Sequence, residues 1–249
     1  DLDLFFTSHG YAFIHADERG TGASFGTWLN MWPRDAIPDY GETVDWIVAQ
    51  PWSNGRVGAI GVSYTGTTAQ LLAAANRPAV KAVVPKFIEF DVYTDIAFPG
   101  GILLETPWED YVERCRQLDL NTWINPARGE PTDTVKPVDA DTDGSLLAEA
   151  VEEHRATNPD FFKSMDVTYR DDPIPGLGVT VDDFSMHELR EEIERSGVAI
   201  YGWGSWNDAC TADTVIRRFM TFSNPQRAVI GAWNHGGDSN ANQYLPDYS

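Results

Sequence analysis

The stretch RVGAIGVSYTG, Arg56 to Gly66, constrains the fold of this chain more than any other. Small and apolar residues from Val57 to Val62 form the pattern of a short buried strand. A serine, Ser63, follows directly, and then an Ala- and Leu-rich helical run, TGTTAQLLAAAN. A chain that turns from strand to helix around one hydroxyl needs small residues at the bend, and glycines stand at 61 and 66. The next strand pattern, AVKAVVP, comes soon after. Asp35 to Gln50 carries Tyr40, Val44, Ile47 and Val48 at helical spacing. With YAFIHAD (Tyr11–Asp17) read as a strand, the first 85 residues run strand, helix, strand, helix, strand. That rhythm predicts an α/β fold with a mostly parallel sheet covered on both faces.

The rhythm stops after about residue 90. ETPWEDYVERCRQLDL and GSLLAEAVEEHRATN read as helices, and the polar segment between them is rich in Pro, Asp and Thr. It resumes with GVAIYGW as a strand, DACTADTVIRRFMTF as a helix and RAVIGAW as a strand. The expected organisation is therefore a core of residues 1–90 and 196–249, with a mostly helical insertion at 91–195. The chain begins without Met and runs straight into helix and strand pattern, so it reads as a fragment or a processed piece.

Charge and composition limit the function. Fourteen Arg and four Lys face 24 Asp and 14 Glu, a net charge of −20. This argues against nucleic acid or an anionic membrane surface as partner. No apolar run reaches the ~18 residues of a membrane span. The two cysteines, Cys115 and Cys210, are too few for a disulfide framework and read as buried thiols. No histidine or carboxylate spacing calls for a metal, and no cofactor is expected. The expected location is cytoplasmic rather than secreted.

A serine on a sharp strand-to-helix turn is the geometry of a nucleophile elbow. The spacing here, G-V-S-Y-T-G, is one residue longer than the plain G-x-S-x-G form. Ser63 is then the nucleophile, and the amide of Tyr64 is a donor to an oxyanion. A serine needs a base and the base needs a carboxylate, in the chain order Ser, acid, His. Three histidines follow Ser63. His154 and His187 lie on charged segments and read as solvated helical side chains. His235 follows the terminal strand, between Asn234 and Gly236, where a base must stand. For the acid, YGWGSWNDACTADT offers Asp208 in the loop before the helix, with Asp213 as its rival one turn in. His15 reads as a packed strand residue. Asp17 and Arg19 read as an internal ion pair bracing the glycine-rich loop.

Four blocks together resemble the cocaine-esterase-like and X-prolyl-dipeptidyl-peptidase-like branch of the α/β-hydrolases, the S15 or CocE/NonD group. DERGTGASFG (Asp17–Gly26) is similar to that group's glycine-rich loop. DWIVAQPWSNGRVGAIGVSYTG (Asp45–Gly66) is similar to its helix, turn and elbow. GWGSWND (Gly202–Asp208) resembles its acid loop, with GSWN between Trp203 and Asp208. GAWNHGG (Gly231–Gly237) resembles its base loop, with Ala232 in place of Pro. The resemblance implies an α/β-hydrolase fold with a helical cap, and Ser63, Asp208 and His235 as triad. It implies a second oxyanion donor, a tyrosine hydroxyl, on an element that would precede Asp1. It also implies a jelly-roll domain after the base loop, so the expectation is a catalytic domain and cap clipped at both ends.

The expected reaction is hydrolysis of a carboxylic ester or amide through an acyl-enzyme. The expected partner is a small-molecule ester or amide, or a short peptide, and homo-oligomerisation is left open. Trp108, Trp203 and Trp206 could wall an acyl site, and Asp91 and Asp95 could hold a substrate ammonium, with core packing or solvated loop positions as the plain alternatives. The rival functions are an X-prolyl dipeptidyl aminopeptidase and a non-catalytic module that keeps the fold.

Overall fold

A computed structural model describes residues 2–120, 122–125, 130–131, 135–157 and 166–237. The chain divides into two compact units, one of Asp1–Met31 and Glu105–Phe162, the other of Trp32–Leu104 and Lys163–Ser249. This division differs from the expected boundaries. Residues 91–104 and 163–195 go with the sheet, and 1–31 go with the central helices. Val92 N donating to Ser185 Oγ at 2.9 Å is one of the bonds that tie the first two of these segments together.

The sheet of the second unit has four parallel strands: β1 (Val57–Val62), β2 (Val80–Lys86), β5 (Ala199–Ser205) and β6 (Gln226–Gly231), in the spatial order β1-β2-β5-β6. Helix α2 (Ile37–Ala49) precedes β1. Helix α3 (Tyr64–Ala74) packs on β1 and β2, and α7 (Thr211–Thr221) packs on β5 and β6. Small residues let both helices close in. In α3, Gly66, Thr67, Ala69, Gln70, Leu71, Ala73 and Ala74 are all buried. In β5, a side chain on Gly204 would run into the carbonyl of Thr211. Helix α7 forms where its sequence predicts a helix, and it turns polar as well as apolar residues inward. Thr211, Ala212, Thr214, Val215 and Arg218 face inward, while Ile216, Phe219 and Met220 are exposed. A short helix not singled out in the sequence, α6 (Arg190–Ser196), leads into β5 and ends at Gly197 in the left-handed region.

The first unit holds α1 (Leu2–Ser8), α4 (Glu105–Asp119), α5 (Ser145–Thr157) and a two-residue antiparallel ladder of β3 (Ile124–Asn125) with β4 (Glu130–Pro131). The strand expected at Tyr11–Asp17 does not form among the described residues. A strand needs a neighbour to bond its backbone, and this segment instead lays aromatic rings against α1. Tyr11 and Phe13 lie 5.4 and 5.8 Å from the Phe6 ring. His15, expected to be packed, is exposed and bonds Asp3. The Asp17 carboxylate accepts from the amide of Ala23, and its carbonyl accepts from Ser24 Oγ, so Asp17 braces the glycine-rich loop through backbone and hydroxyl groups. His154 is also corrected. It is buried, with Nδ1 at 3.1 Å from Asp119 and Nε2 at 2.7 Å from the carbonyl of Ser24. A histidine with an acceptor on each side is worth burying, whatever the charge of its helix.

The inward face of α3 and the outward face of α7 should respond differently to truncation. Leu71→Ala, at a site 1% exposed, should cost about 2–5 kcal/mol in urea unfolding. Ile216→Ala, at a site 44% exposed, should stay within about 0.5 kcal/mol.

Candidate active site

Ser63 ends β1 and begins α3, with φ 58° and ψ −128°. A non-glycine residue held in such a region costs of order 1–3 kcal/mol and persists only where its surroundings enforce it. Here the enforcement is visible. Ser63 N donates to the carbonyl of Lys86 at 2.9 Å, which carries the β1–β2 pairing one step past the strand. The Ser63 carbonyl accepts from Gly66 N at 2.8 Å and Thr67 N at 3.0 Å, which starts the helix at once. Both glycines are needed for close approach. A side chain on Gly61 would meet the Thr65 carbonyl, and one on Gly66 would lie 2.5 Å from Ile88 Cγ2 and 2.8 Å from the Lys86 carbonyl. The extra residue in the spacing has a role of its own. Thr65 Oγ1 accepts from Val62 N and donates to the Val62 carbonyl, clasping the turn. Tyr64 is the first helical residue, so its amide lies at the N-terminal end of α3. Its carbonyl accepts from the Trp32 indole at 3.3 Å.

Asp208 and His235 come from the loops after β5 and β6, at the same end of the sheet. His235 Nδ1 lies 2.8 Å from Asp208 Oδ2. A carboxylate only accepts, so Nδ1 carries the proton and Nε2 is the basic nitrogen. Thr211 Oγ1 shares its proton between the Asp208 carbonyl at 2.9 Å and Asp208 Oδ2 at 3.2 Å, which ties Asp208 to the start of α7. The Asp208 side chain is nearly buried, while half of the His235 side chain is exposed. Asp213 is not at this site. It is exposed and pairs with Arg217 along α7. Two of the four residues that lengthen the acid block, Gly204 and Ser205, continue strand β5, which moves the loop's start to Trp206.

Ser205 was not singled out in the sequence, and it joins the two loops. Its hydroxyl donates to the Trp233 carbonyl at 2.7 Å and accepts from the amides of Trp233 and Asn207, each at 3.0 Å. Phe87 follows β2, the strand that lies between β1 and β5 in the sheet. It donates its amide to the Trp203 carbonyl and sets its buried ring 6.0 Å from the His235 ring. Ser63 Oγ and His235 Nε2 have no hydrogen-bond partner among the described residues. Such contacts are often loose without substrate and tighten in the complex.

The expected substrate contacts fare less well. Asp91 and Asp95 are both buried and committed within the fold. Asp95 Oδ2 accepts from the amides of Phe90 and Asp91, each at 2.8 Å, and its other oxygen pairs with Arg217. Asp91 accepts from Thr94 N and from Arg170 at 2.7 Å. Burial pushes the Asp91 carboxyl up, but the bonds from Arg170 and Thr94 outweigh it and hold the group below the usual carboxylate range. Neither is poised to hold an ammonium. Trp203 stacks on Trp233 with centroids 5.4 Å apart and carries Lys86 Nζ 5.2 Å above its ring, so it serves packing rather than an acyl wall. Trp206 is exposed. The side chain of Trp108 lies outside the described residues.

His187, expected to be solvated, is partly buried on a 3-10 turn and lies 3.3 Å from Asp182. Asp91, Asp182 and His187 offer three ligand atoms within 4.8 Å of one another, a spacing a metal ion could use. The Arg170 guanidinium already spans both carboxylates and supplies the positive charge. Burial pushes the thiols of Cys115 and Cys210 up to about 11 and about 12, which keeps both protonated and unreactive.

Beneath the elbow lies a polar group that the sequence did not announce. Glu89 is buried, and its carboxylate oxygens accept from Thr67 Oγ1 at 2.8 and 3.1 Å. Arg218, 2% exposed, donates to the carbonyls of Ile88 and Glu89. Burial pushes the Glu89 carboxyl up to about 7, against the lowering pull of the Thr67 bond and the Arg218 charge.

The X-Pro dipeptidyl-peptidase (S15) family matches residues 3–237. The chain belongs to this family. A Mycobacterium bovis member named "Putative serine esterase" is 38% identical over 254 residues, covering 93% of this chain and 40% of that protein. The cocaine esterase of a Rhodococcus species is 37% identical over 101 residues, covering 40% of this chain and 17% of that one. A crystal structure of a CocE/NonD family hydrolase from Staphylococcus aureus superposes with a TM-score of 0.59 at 18% identity, over 88% of this chain and 32% of that one. Its likeness gives the S15 chain the α/β-hydrolase fold. The chain spans about 40% of the length of the mycobacterial relative.

Burial of Glu89 gives this chain a pH dependence whose sign follows from the raised pKa. The folded chain holds the Glu89 proton to about 7 instead of its ordinary 4.5. Its contribution to stability is therefore complete below 4.5 and is lost as pH rises toward 7. Over that window the wild type should lose about 3 kcal/mol relative to Glu89→Gln in urea unfolding.

Proposed function

We propose that this chain carries the catalytic machinery of a serine hydrolase that cleaves carboxylic esters or amides through an acyl-enzyme. One observation carries the reading. A strained serine between strand and helix shares the carboxyl end of a parallel sheet with a hydrogen-bonded Asp208–His235 pair. Neighbouring parallel strands present their loops on one side, and that side is where α/β folds act.

Each residue has a definite task. Ser63 Oγ attacks the substrate carbonyl while His235 Nε2 removes its proton. Asp208 keeps the other ring nitrogen protonated and stabilises the imidazolium that forms. The amide of Tyr64 stabilises the oxyanion of the tetrahedral intermediate. His235 then gives the proton to the leaving group, and a water molecule repeats the sequence on the acyl-enzyme. No step needs a cofactor. Trp206, at the start of the acid loop, is an exposed aromatic there.

Between the two chemistries named among the relatives, esterase and Xaa-Pro dipeptidyl-peptidase, the side chains favour the ester. A dipeptidyl peptidase must anchor a free amino terminus. The two carboxylates after β2 are spent on Arg170, Arg217 and backbone amides. Among the described residues no helix is long and apolar enough to cross a membrane, and the proposed partner is a small-molecule ester or amide.

The test is hydrolysis of a panel of short-chain p-nitrophenyl esters and Xaa-Pro-p-nitroanilides. Esters should turn over faster than the anilides. Asp208→Asn should lower kcat by roughly 10⁴-fold, because the imidazole loses its correct tautomer. Asp213→Asn should leave kcat within about twofold. Faster cleavage of the anilides would move the assignment to the peptidase.

A further inference from the structure

We propose that Glu89 is a positioning residue for Ser63, acting through Thr67 Oγ1, whose hydrogen bond it points either toward itself or toward the Ser63 carbonyl. The rate effects below rest on the reading of Ser63 as nucleophile.

Thr67 Oγ1 has one proton and two acceptors within reach. Glu89 Oε1 and Oε2 lie at 2.8 and 3.1 Å, and the Ser63 carbonyl lies at 3.4 Å. Thr67 is fully buried and Glu89 is 5% exposed, so bulk water does not stand in for either partner. An ionised carboxylate can only accept. It claims the Thr67 proton, and the Ser63 carbonyl keeps only the amides of Gly66 and Thr67. A neutral Glu89 can donate to Thr67 Oγ1 instead. The Thr67 hydroxyl is then free to turn to the Ser63 carbonyl and add a third bond to a residue whose backbone conformation is strained.

The two states also differ in charge beneath the elbow. A negative Glu89 opposes the charge that develops on the oxyanion, and a neutral one does not. Both effects favour the neutral state. Two of the groups facing Glu89, Arg218 and Cys210, keep their charge states near neutral pH. Arg218, on α7, is pushed by burial only down to about 10 and stays protonated. The Cys210 thiol is pushed up to about 12 and stays neutral. Asp95, after β2, is held by Arg217 and by two backbone amides. Glu89 itself changes charge at about 7, so the elbow is coupled to pH in the range where an enzyme works.

The experiment compares wild type, Glu89→Gln and Thr67→Val between pH 6 and 9. One readout is the rate of reaction with a fluorophosphonate. The other is the amide NMR shifts of residues 63–67. Gln supplies an uncharged donor at every pH and mimics the neutral acid. Any pH dependence shared by all the variants cancels in the ratio of rates. The wild-type rate should match Glu89→Gln at pH 6 and fall several-fold below it at pH 9. In Thr67→Val, which lacks the shared hydroxyl, the part of the titration carried by the hydrogen bond is lost, so the amide shifts should titrate with clearly smaller amplitude than in the wild type. In the wild type they should titrate with a midpoint near 7, and in Glu89→Gln they should not. A rate ratio that stays flat from pH 6 to 9 would overturn the inference while leaving Ser63 as nucleophile. If wild-type Ser63 does not react at all, the hydrolase reading fails, and the NMR titration alone decides whether Glu89 is coupled to the elbow. Shifts that do not titrate in the wild type would then overturn it. Should Glu89→Gln fail to fold, wild type and Thr67→Val still give the comparison.

Discussion

The backbone of Ser63 is the constraint on which the rest depends. It is bent into a conformation that an L-residue avoids, and it is kept there by bonds from both sides. The Lys86 carbonyl holds its amide as if β1 had not ended, and the first amides of α3 hold its carbonyl as if the helix had already begun. Every close approach around it follows from that overlap. The glycines at 61 and 66, the small residues of α3 and the clasp of Thr65 on Val62 all permit a helix to start where a strand stops. The strain of about 1–3 kcal/mol is offset by the surrounding ladder and core. What it yields is a hydroxyl raised at the end of a rigid sheet.

The parallel sheet then does the assembly. Strand order β1-β2-β5-β6 sets the serine, Phe87, the acid loop and the base loop side by side. Ser205 fastens the last two together with three hydrogen bonds from one hydroxyl. Thr211 holds Asp208 in turn, through the Asp208 carbonyl at 2.9 Å and carboxylate at 3.2 Å. Ser63 stands between a strand end and a helix start, and the acid and base loops are fastened to the end of β5 by Ser205.

The parts of this arrangement that sequence pattern makes legible are local. An apolar run, a flanked serine, an Ala-rich helix and a histidine just past a strand are read within a few residues of each other. They led to β1, α3, β6, Asp208 and His235. What was not legible depends on distant partners. Asp91 and Asp95 looked like loop carboxylates because their arginines lie 79 and 122 residues away. His154 looked solvated because its second acceptor, the Ser24 carbonyl, lies 130 residues away. The alternation of Tyr11–Asp17 matches a strand, but a strand is decided by a neighbour that bonds its backbone, and none of the described residues pairs with it there. Glu89 left one weak signal, a carboxylate inside the apolar run FIEF. Its burial against Thr67 and Arg218 could not be read from that.

The central claim is that Ser63 is a nucleophile activated by His235. The most direct measurement is covalent: incubation of the purified protein with a fluorophosphonate, followed by mass spectrometry of the peptides. The account predicts a single adduct on Ser63, lost in Ser63→Ala and strongly slowed in His235→Ala. A folded protein that gives no adduct, or gives one on another serine, would contradict it.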